Sequence, residues 1–417
     1  MFANKYYERD VENAFAMNRF FFRLVGLWPL QPVDSFIPNA VESIVMAITC
    51  FAFVVGELTP TALYTAIKIT DVRLRLKAAG SVIFAVVGLI KYSYMLFNKS
   101  QVRNCLMLID KDWQNVINSD ERILMIDQVR FSKRLIMICV VFVYMTGVFV
   151  RMLLPFYTGK IVTPDNVTIR PLPVVAYLVI VDVQRSPFYE IVFFVQFFGG
   201  FFKYTLTVAV FSFMTVCAMH FCAQSNVLVT LMNDLVNESR PEYVNKKLAI
   251  IVEHQIKTRN FLQLVQYVTQ YPSLIEVLGS TVMLCFAVYY ITTEWEDHNF
   301  LRMFTFIIAL AMFTFDLFIY CYMGEQVISQ EEKVSLTACT LEWHHLPSAK
   351  ARALILLIII SEHPLKLRAG NFIDLSLRTF SDVSDFIKLK FMFNNNNNNK
   401  VNNRISCGKR KQLIKIY

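Results

Sequence analysis

Residues 189–219 read YEIVFFVQFFGGFFKYTLTVAVFSFMTVCAM. Glu190 and Lys203 are the only charged side chains in that run. A helix that crosses a bilayer needs about 20 predominantly apolar residues. It satisfies its backbone N–H and C=O groups internally, which lipid cannot do for it. This run is long enough, and it is apolar on all sides rather than along one stripe. Five more runs share its character: Phe36–Leu58, Ala78–Phe97, Leu135–Phe156, Tyr271–Thr293 and Leu301–Gly324. The spacing predicts an all-α, polytopic membrane bundle.

The bulk composition agrees. The chain has 417 residues, 55% hydrophobic and 18% charged, with 37 Phe and only 12 Gly. Soluble domains carry about 25% charge. The shortfall excludes a disordered chain, a coiled coil and a collagen-like fibre, and it argues against an ordinary two-domain soluble enzyme. The net charge of +9 sits largely in short loops and in the C-terminal tail, so it reads as loops facing an anionic leaflet, not as a nucleic-acid surface. The nine cysteines contain no Cys-x-x-Cys pair. Most lie in or beside apolar runs, where Cys acts as a small hydrophobe. No zinc or redox site is expected. Met1 to Asn18 mixes Lys5, Glu8, Arg9, Asp10 and Glu12 and lacks the basic-then-apolar pattern of a cleaved signal peptide. The first span is expected to double as the targeting signal.

A seventh apolar run, Ala353–Ile360, follows Pro347 and is closed by Glu362-His363-Pro364. It is too short to span and reads as a helix buried in protein at the membrane edge. A last span would begin near Ala369, yet that stretch carries Asp374, Arg378, Asp382, Asp385, Lys388 and Lys390. Orientation follows from Lys and Arg. With the N-terminus inside, the inside segments hold 19 and the outside loops 7, which favours a cytoplasmic N-terminus. The sequon Asn166-Val167-Thr168 then lies outside and is a glycosylation candidate, while Asn98-Lys99-Ser100 and Asn237-Glu238-Ser239 lie inside.

Most spans carry an ionisable residue. Glu42, Lys91, Arg151 and Glu276 sit near span ends and read as snorkelling or solvated. Lys203 and Asp316 lie deeper, at about 21–23 Å by helical rise. Asp is too short to snorkel and needs a partner or water. An intramembrane pair between Lys203 and Asp316 is the expectation, with separate contacts to backbone or water as the alternative.

Several strings resemble the insect odorant receptor family. Leu172-Pro173 and Ser186-Pro187-Phe188-Tyr189-Glu190 resemble its second outer loop and the entry to its fourth span. Tyr320-Cys321-Tyr322-Met323-Gly324-Glu325 resembles the end of its sixth span, and Trp343 with Leu346-Pro347 the element before its last helices. The most specific match is Pro364-Leu365-Lys366-Leu367-Arg368-Ala369-Gly370 followed by Leu375-Ser376-Leu377-Arg378-Thr379-Phe380. The resemblance covers residues 1 to about 380. It implies seven spans with the last helix broken: a cytoplasmic anchor part, matched by Ala349–Ser361, and a pore-lining part starting near Ala369. It divides the chain into an N-terminal segment (1–35), a bundle of spans one to six (36–324), a loop and anchor helix (325–368), the start of the last span (369–382) and a tail (383–417).

After Phe380 the chain departs from the family pattern, reading Ser381-Asp382-Val383-Ser384-Asp385-Phe386 and then the run Asn394–Asn399. Val-Ser can be encoded by a splice-donor consensus, so residues from about Val383 read as translated intron, with the pore half truncated. A true low-complexity tail is the alternative.

The resemblance also implies a function: an odorant-tuning subunit of a heteromeric, tetrameric, ligand-gated cation channel, partnered with a shared co-receptor in the plasma membrane of olfactory dendrites. The loop from His220 to Gln270 lacks the co-receptor's long insertion. Candidate odorant-lining residues are Phe84, Tyr144, Gly147, Val148, Phe197, Gly200, Phe304 and Ile307, from the outer halves of spans two, three, four and six. Each alone reads more readily as an ordinary helix-packing residue. Together they would form an aromatic cavity suited to a small volatile molecule. No cofactor and no metal are expected. His344-His345 and His363 lack ligand spacing, and there is no phosphate-binding loop or GxSxG elbow. Gly199-Gly200 reads as close helix packing.

The rivals are a gustatory-type relative, a G-protein-coupled receptor, a transporter and a non-conducting truncated product. Absent Asp-Arg-Tyr and Asn-Pro-x-x-Tyr strings and the inverted orientation argue against the second. The lack of an internal repeat argues against the third.

Overall fold

The computed structural model describes residues 4–28, 37–158, 161–162, 168–179, 182–236, 241–296, 300–340, 358–359, 361–362 and 364–389. The element order is α1 (Tyr7–Leu24), α2 (Ile37–Leu63), α3 (Val72–Phe97), α4 (Lys99–Asn115), α5 (Ser119–Val148), α6 (Leu154–Thr158), α7 (Phe188–Val236), α8 (Pro241–Glu296) and α9 (Phe300–Thr340). π-helical turns at Tyr64–Lys68 and Phe149–Leu153 extend α2 and join α5 to α6. Two-residue strands pair as β1 (Ile161–Val162) with β2 (Thr168–Ile169), and β3 (Arg368–Ala369) with β4 (Ile373–Asp374). A last helix, α10, covers 377–389.

Among the described residues, six helices are long and apolar enough to cross a membrane: α2, α3, α5, α7, α8 and α9. They carry the six apolar runs of the sequence. At 1.5 Å per residue, α7, α8 and α9 are about 60–85 Å long, against a hydrocarbon layer of about 30 Å. They therefore continue well past the bilayer at one end. There Leu228, Val229, Met232, Leu248, Ile251, Val334 and Ala338 form a second core, against which Ile358 packs. Sequence hydropathy marks only the lipid-depth part of each helix, so α7 runs on past Met219 and α9 past Gly324.

α7 is the hub. Every residue from Phe202 to Ser225 is buried, which is why its sequence is apolar all round. The outer helices are apolar for another reason. On α2, Val41, Ile44, Val45, Ile48 and Phe51 are exposed, and their spacing makes one stripe that lipid would cover. α1 lies against the hub, burying Ala14, Phe15, Phe21 and Phe22. Asn18 donates to Ser212 of α7 at 2.9 Å, and Arg122 holds Asp10 through two bonds at 2.6 and 2.9 Å.

Two of the strings that carry the resemblance meet in space. β3 and β4 form a hairpin with Gly370 at φ 61°. The Gly370 N–H donates to the Gln270 carbonyl at 2.8 Å, and Gln266 brackets the Arg368 backbone. Asp374 is gripped by Lys366 and Arg368, both at 2.9 Å, and these bonds hold its carboxyl below the usual range. Ser376 caps α10 by accepting from the Thr379 N–H. Glu325 of α9 accepts from the Leu377 N–H at 3.0 Å. A Cβ on Gly324 would stand 2.0 Å from the Leu375 carbonyl oxygen. Phe318 meets Phe380 edge to face at 5.4 Å. The string at the end of α9 and the string before α10 are thus two halves of one joint. α10 continues through Val383, and Val383 and Ile387 pack against the main core.

Asn166, the Asn237 sequon, Trp343 to Pro347, His344-His345, His363, most of Ala349–Ser361 and the Asn394–Asn399 run lie outside the described residues.

Candidate functional site

A cavity of about 220 Å³ lies where α3, α5, α8 and α9 converge. Gly80, Ser81 and Phe84 come from α3, Thr146 from α5, and Val150 and Arg151 from the turn after α5. α8 supplies Met283, Phe286, Ala287 and Tyr290, and α9 supplies Thr305, Phe306, Ala309, Met312 and Phe313. Tyr204 of α7 closes one side and Pro173-Val174 another. These are the starts of α3 and α9 and the ends of α5 and α8, so the cavity sits at the end of the bundle opposite the long overhang. Gln196 fixes the covering loop by donating to the Val174 carbonyl at 2.8 Å and accepting from its N–H at 3.2 Å. Tyr189 donates to the Pro171 carbonyl, and Arg170 pairs with Glu190. Those bonds give the Leu172-Pro173 and Pro187–Glu190 strings a structural role.

A buried charge cluster stands beside the cavity. Glu57 Oε1 receives Arg151 at 2.7 Å and Lys203 at 2.8 Å, and all three side chains are at most 8% exposed. Arg151 also donates to the Gln196 carbonyl at 3.1 Å. The space is made by glycine. A Cβ on Gly199 would stand 2.7 Å from Glu57 Oε2, and one on Gly200 3.1 Å from the Arg151 guanidinium carbon. Gly147 clears the Tyr204 ring in the same way.

The structure does not bring Lys203 and Asp316 together. Lys203 takes Glu57, and Asp316 lies near Glu276 and Lys91. Helical rise gives only an expected depth for each residue and does not say which face of the helix it occupies. Lys91, Arg151 and Glu276 are not solvated either. Lys91 and Glu276 are paired and buried, and Arg151 is 6% exposed. Each faces a neighbouring helix that offers a counter-charge. Glu42 alone behaves as expected, exposed beside Arg23.

Of the eight candidate lining residues, Phe84 lines the cavity. Gly147 and Gly200 lie directly behind Tyr204 and Arg151, which do line it. Tyr144 bonds Thr205 at 2.6 Å, and Phe197 packs on Phe198. Val148, Phe304 and Ile307 face outward. On α5 and α9 the candidates miss by one or two positions, and each position turns the side chain by about 100°. α8 was missed entirely, although 283, 286, 287 and 290 repeat at i, i+3, i+4 and i+7. Glu57 was missed too; the need of two buried cations for a carboxylate was its signal.

A third charged site lies outside the spans. Asp112 of α4 receives His220 at 3.1 Å and is also paired with Lys257. Burial alone would raise its pKa, but the two partners outweigh burial and lower it. A lowered carboxyl pKa gives stability above the unfolded value, about 3.9, and loses it as pH falls through the folded value. Asp112→Asn is expected to lower stability at neutral pH and to flatten the acid loss below about pH 4. Unfolding curves of the purified chain at both pH values check this. Among the described residues, no group of His, Cys, Asp and Glu is placed to hold a metal ion.

Fold and site together define a polytopic α-helical membrane protein with an aromatic cavity between its helices. A profile of the 7tm odorant receptors matches residues 71–387, and the chain belongs to that family. The family consists of receptors, not enzymes. Among its relatives, odorant receptor 2a of Drosophila melanogaster is 25% identical over 150 residues, covering 36% of this chain and 38% of the relative. Odorant receptor 56a of the same fly is 24% identical over 179 residues, covering 38% and 41%. The chain thus spans about two-fifths of the length of these curated relatives. The olfactory receptor OR5 of Machilis hrabei has the same fold. Its structure in complex with eugenol matches with a TM-score of 0.75 at 12% identity, covering 93% of this chain and 99% of that one. Its structure without eugenol gives a TM-score of 0.76.

Proposed function

We propose that this chain is an odorant-tuning subunit of a heteromeric, ligand-gated cation channel, and that the cavity between α3, α5, α8 and α9 holds the odorant. One observation carries the reading. α9 lines the cavity with Thr305 to Phe313 and, further along the same unbroken helix, holds α10 through Phe318, Gly324 and Glu325. Phe306 and Gly324 are about 27 Å apart along it by helical rise. A ligand that binds better when α9 is shifted would move the joint that carries the last helix. That differential affinity is what any ligand switch requires. The cavity's chemistry supports a small volatile ligand, because its walls are aromatic and aliphatic with few polar groups.

In this reading the N-terminus is cytoplasmic, the cavity opens toward the outer half, Asn166 is available for glycosylation, and the chain assembles with a co-receptor as a tetramer in the plasma membrane of the olfactory dendrite. α10 is the start of the pore-lining part.

Co-expression with the co-receptor and an odour panel tests it, read as cation current. Ala309→Phe fills the cavity and is expected to abolish responses while surface expression persists. Unchanged responses in that variant would remove the cavity from the mechanism. A surface-expressed chain that never responds would favour the non-conducting product. Sequencing the transcript across 375–400 tests the tail, and a mature message encoding the Asn run would sink the intron reading.

A further inference from the structure

We infer that the cavity is built for a small organic acid bound as its carboxylate, a class narrower than volatile molecules in general. The inference rests on the cavity being the ligand site proposed above. Its observation is the charge beside the cavity. Among the described residues, one carboxylate, Glu57, pairs with both Arg151 and Lys203, and all three are buried. The cluster therefore carries one uncompensated positive charge in a low-dielectric setting, where an unpaired charge is strongly unfavourable. Arg151 is the member that reaches the cavity wall. A guanidinium carries five N–H donors and holds its charge; those of Arg151 already serve Glu57, the Gln196 carbonyl and Tyr204, and a ligand carboxylate would take a remaining one. Gly200 leaves room for it, since a Cβ there would crowd the guanidinium at 3.1 Å. Thr146, Tyr204 and Thr305 supply hydroxyls among the other lining residues. Much of the remaining lining is aromatic or aliphatic, and Phe286, Phe306 and Phe313 among it could cover an alkyl chain. A bound carboxylate would neutralise the cluster while its tail fills the apolar side. A neutral alcohol would fill the same space and leave the charge uncompensated.

The test compares straight-chain carboxylates, from butanoate to decanoate, with alcohols of the same chain length. Binding to the full chain in lipid nanodiscs is measured by calorimetry near neutral pH. The acid is expected to bind on the order of tenfold more tightly than its alcohol, a difference of about 1.4 kcal/mol. Arg151→Gln should bring that ratio toward one. Lys203→Met should also reduce it, because it leaves Glu57 and Arg151 as a balanced pair without altering the lining, and it keeps the test open if Arg151→Gln fails to fold. Alcohols that bind as tightly as acids, or a ratio unmoved in a folded variant, would overturn this inference and leave the cavity as the ligand site. Failure of both series to bind would overturn this inference and remove support from the cavity reading as well.

Discussion

Glu57→Ala is expected to destabilise the chain by about 3–5 kcal/mol, because it leaves two cations buried without their carboxylate. Glu57 is 2% exposed and ties α2 to Lys203 of α7 and to Arg151 beyond α5. Both cations are buried: Lys203 is 2% exposed and Arg151 6%. The loss is large because the survivors repel each other in a medium that screens poorly. A second substitution separates charge from packing. Lys203→Met in the Glu57→Ala background removes one cation and should recover part of the loss, a non-additivity expected of groups sharing one network. Thermal unfolding of the purified full chain in detergent reads both variants. A Glu57→Ala protein as stable as the parent would mean that the cluster does not hold these helices together.

Gly324→Ala is expected to release α10 from α9. A methyl group at this position would stand 2.0 Å from the Leu375 carbonyl oxygen and 2.7 Å from its carbonyl carbon. Those are backbone atoms, pinned by the Leu375 N–H bond to the Leu367 carbonyl and by the α10 cap, so they cannot rotate away. Overpacking of this kind costs about 1–3 kcal/mol. Replacing Gly by Ala inside a helix would otherwise stabilise it by about 1 kcal/mol, so a measured loss is a clear sign of the clash. Hydrogen exchange is the readout: amides of 377–389 should lose protection while those of α7 keep theirs. If α10 stays protected, the contact does not lock the joint. In the proposed channel, the same variant should respond weakly to ligand although its cavity is intact.

These residues also show what a sequence can and cannot say. Hydropathy located all six long helices, because burial in lipid or in protein demands the same apolar composition. It did not give their ends, since the portions of α7, α8 and α9 beyond the bilayer are amphipathic and partly solvated. The strings around Gly324 and Leu375 were recognisable as strings, and the structure explains them as surfaces of a single contact. Charge was the hardest to read. Lys203 stood out as an intramembrane cation, but its partner Glu57 lay near the end of another span, where a carboxylate is unremarkable. Asp316, expected at the same depth, faces Glu276 and Lys91 instead. Depth follows from counting residues, whereas facing depends on how helices are rotated, and one residue of error is about 100°. The same rotation moved Phe304 and Ile307 outward while Thr305, Phe306 and Ala309 turned in.

The most direct measurement is a structure of the full chain with an activating ligand bound. Density is expected in the cavity between α3, α5, α8 and α9, against Arg151, Tyr204 and Phe306, with α9 and α10 displaced together. Density at any other site, with this cavity unoccupied, would contradict it.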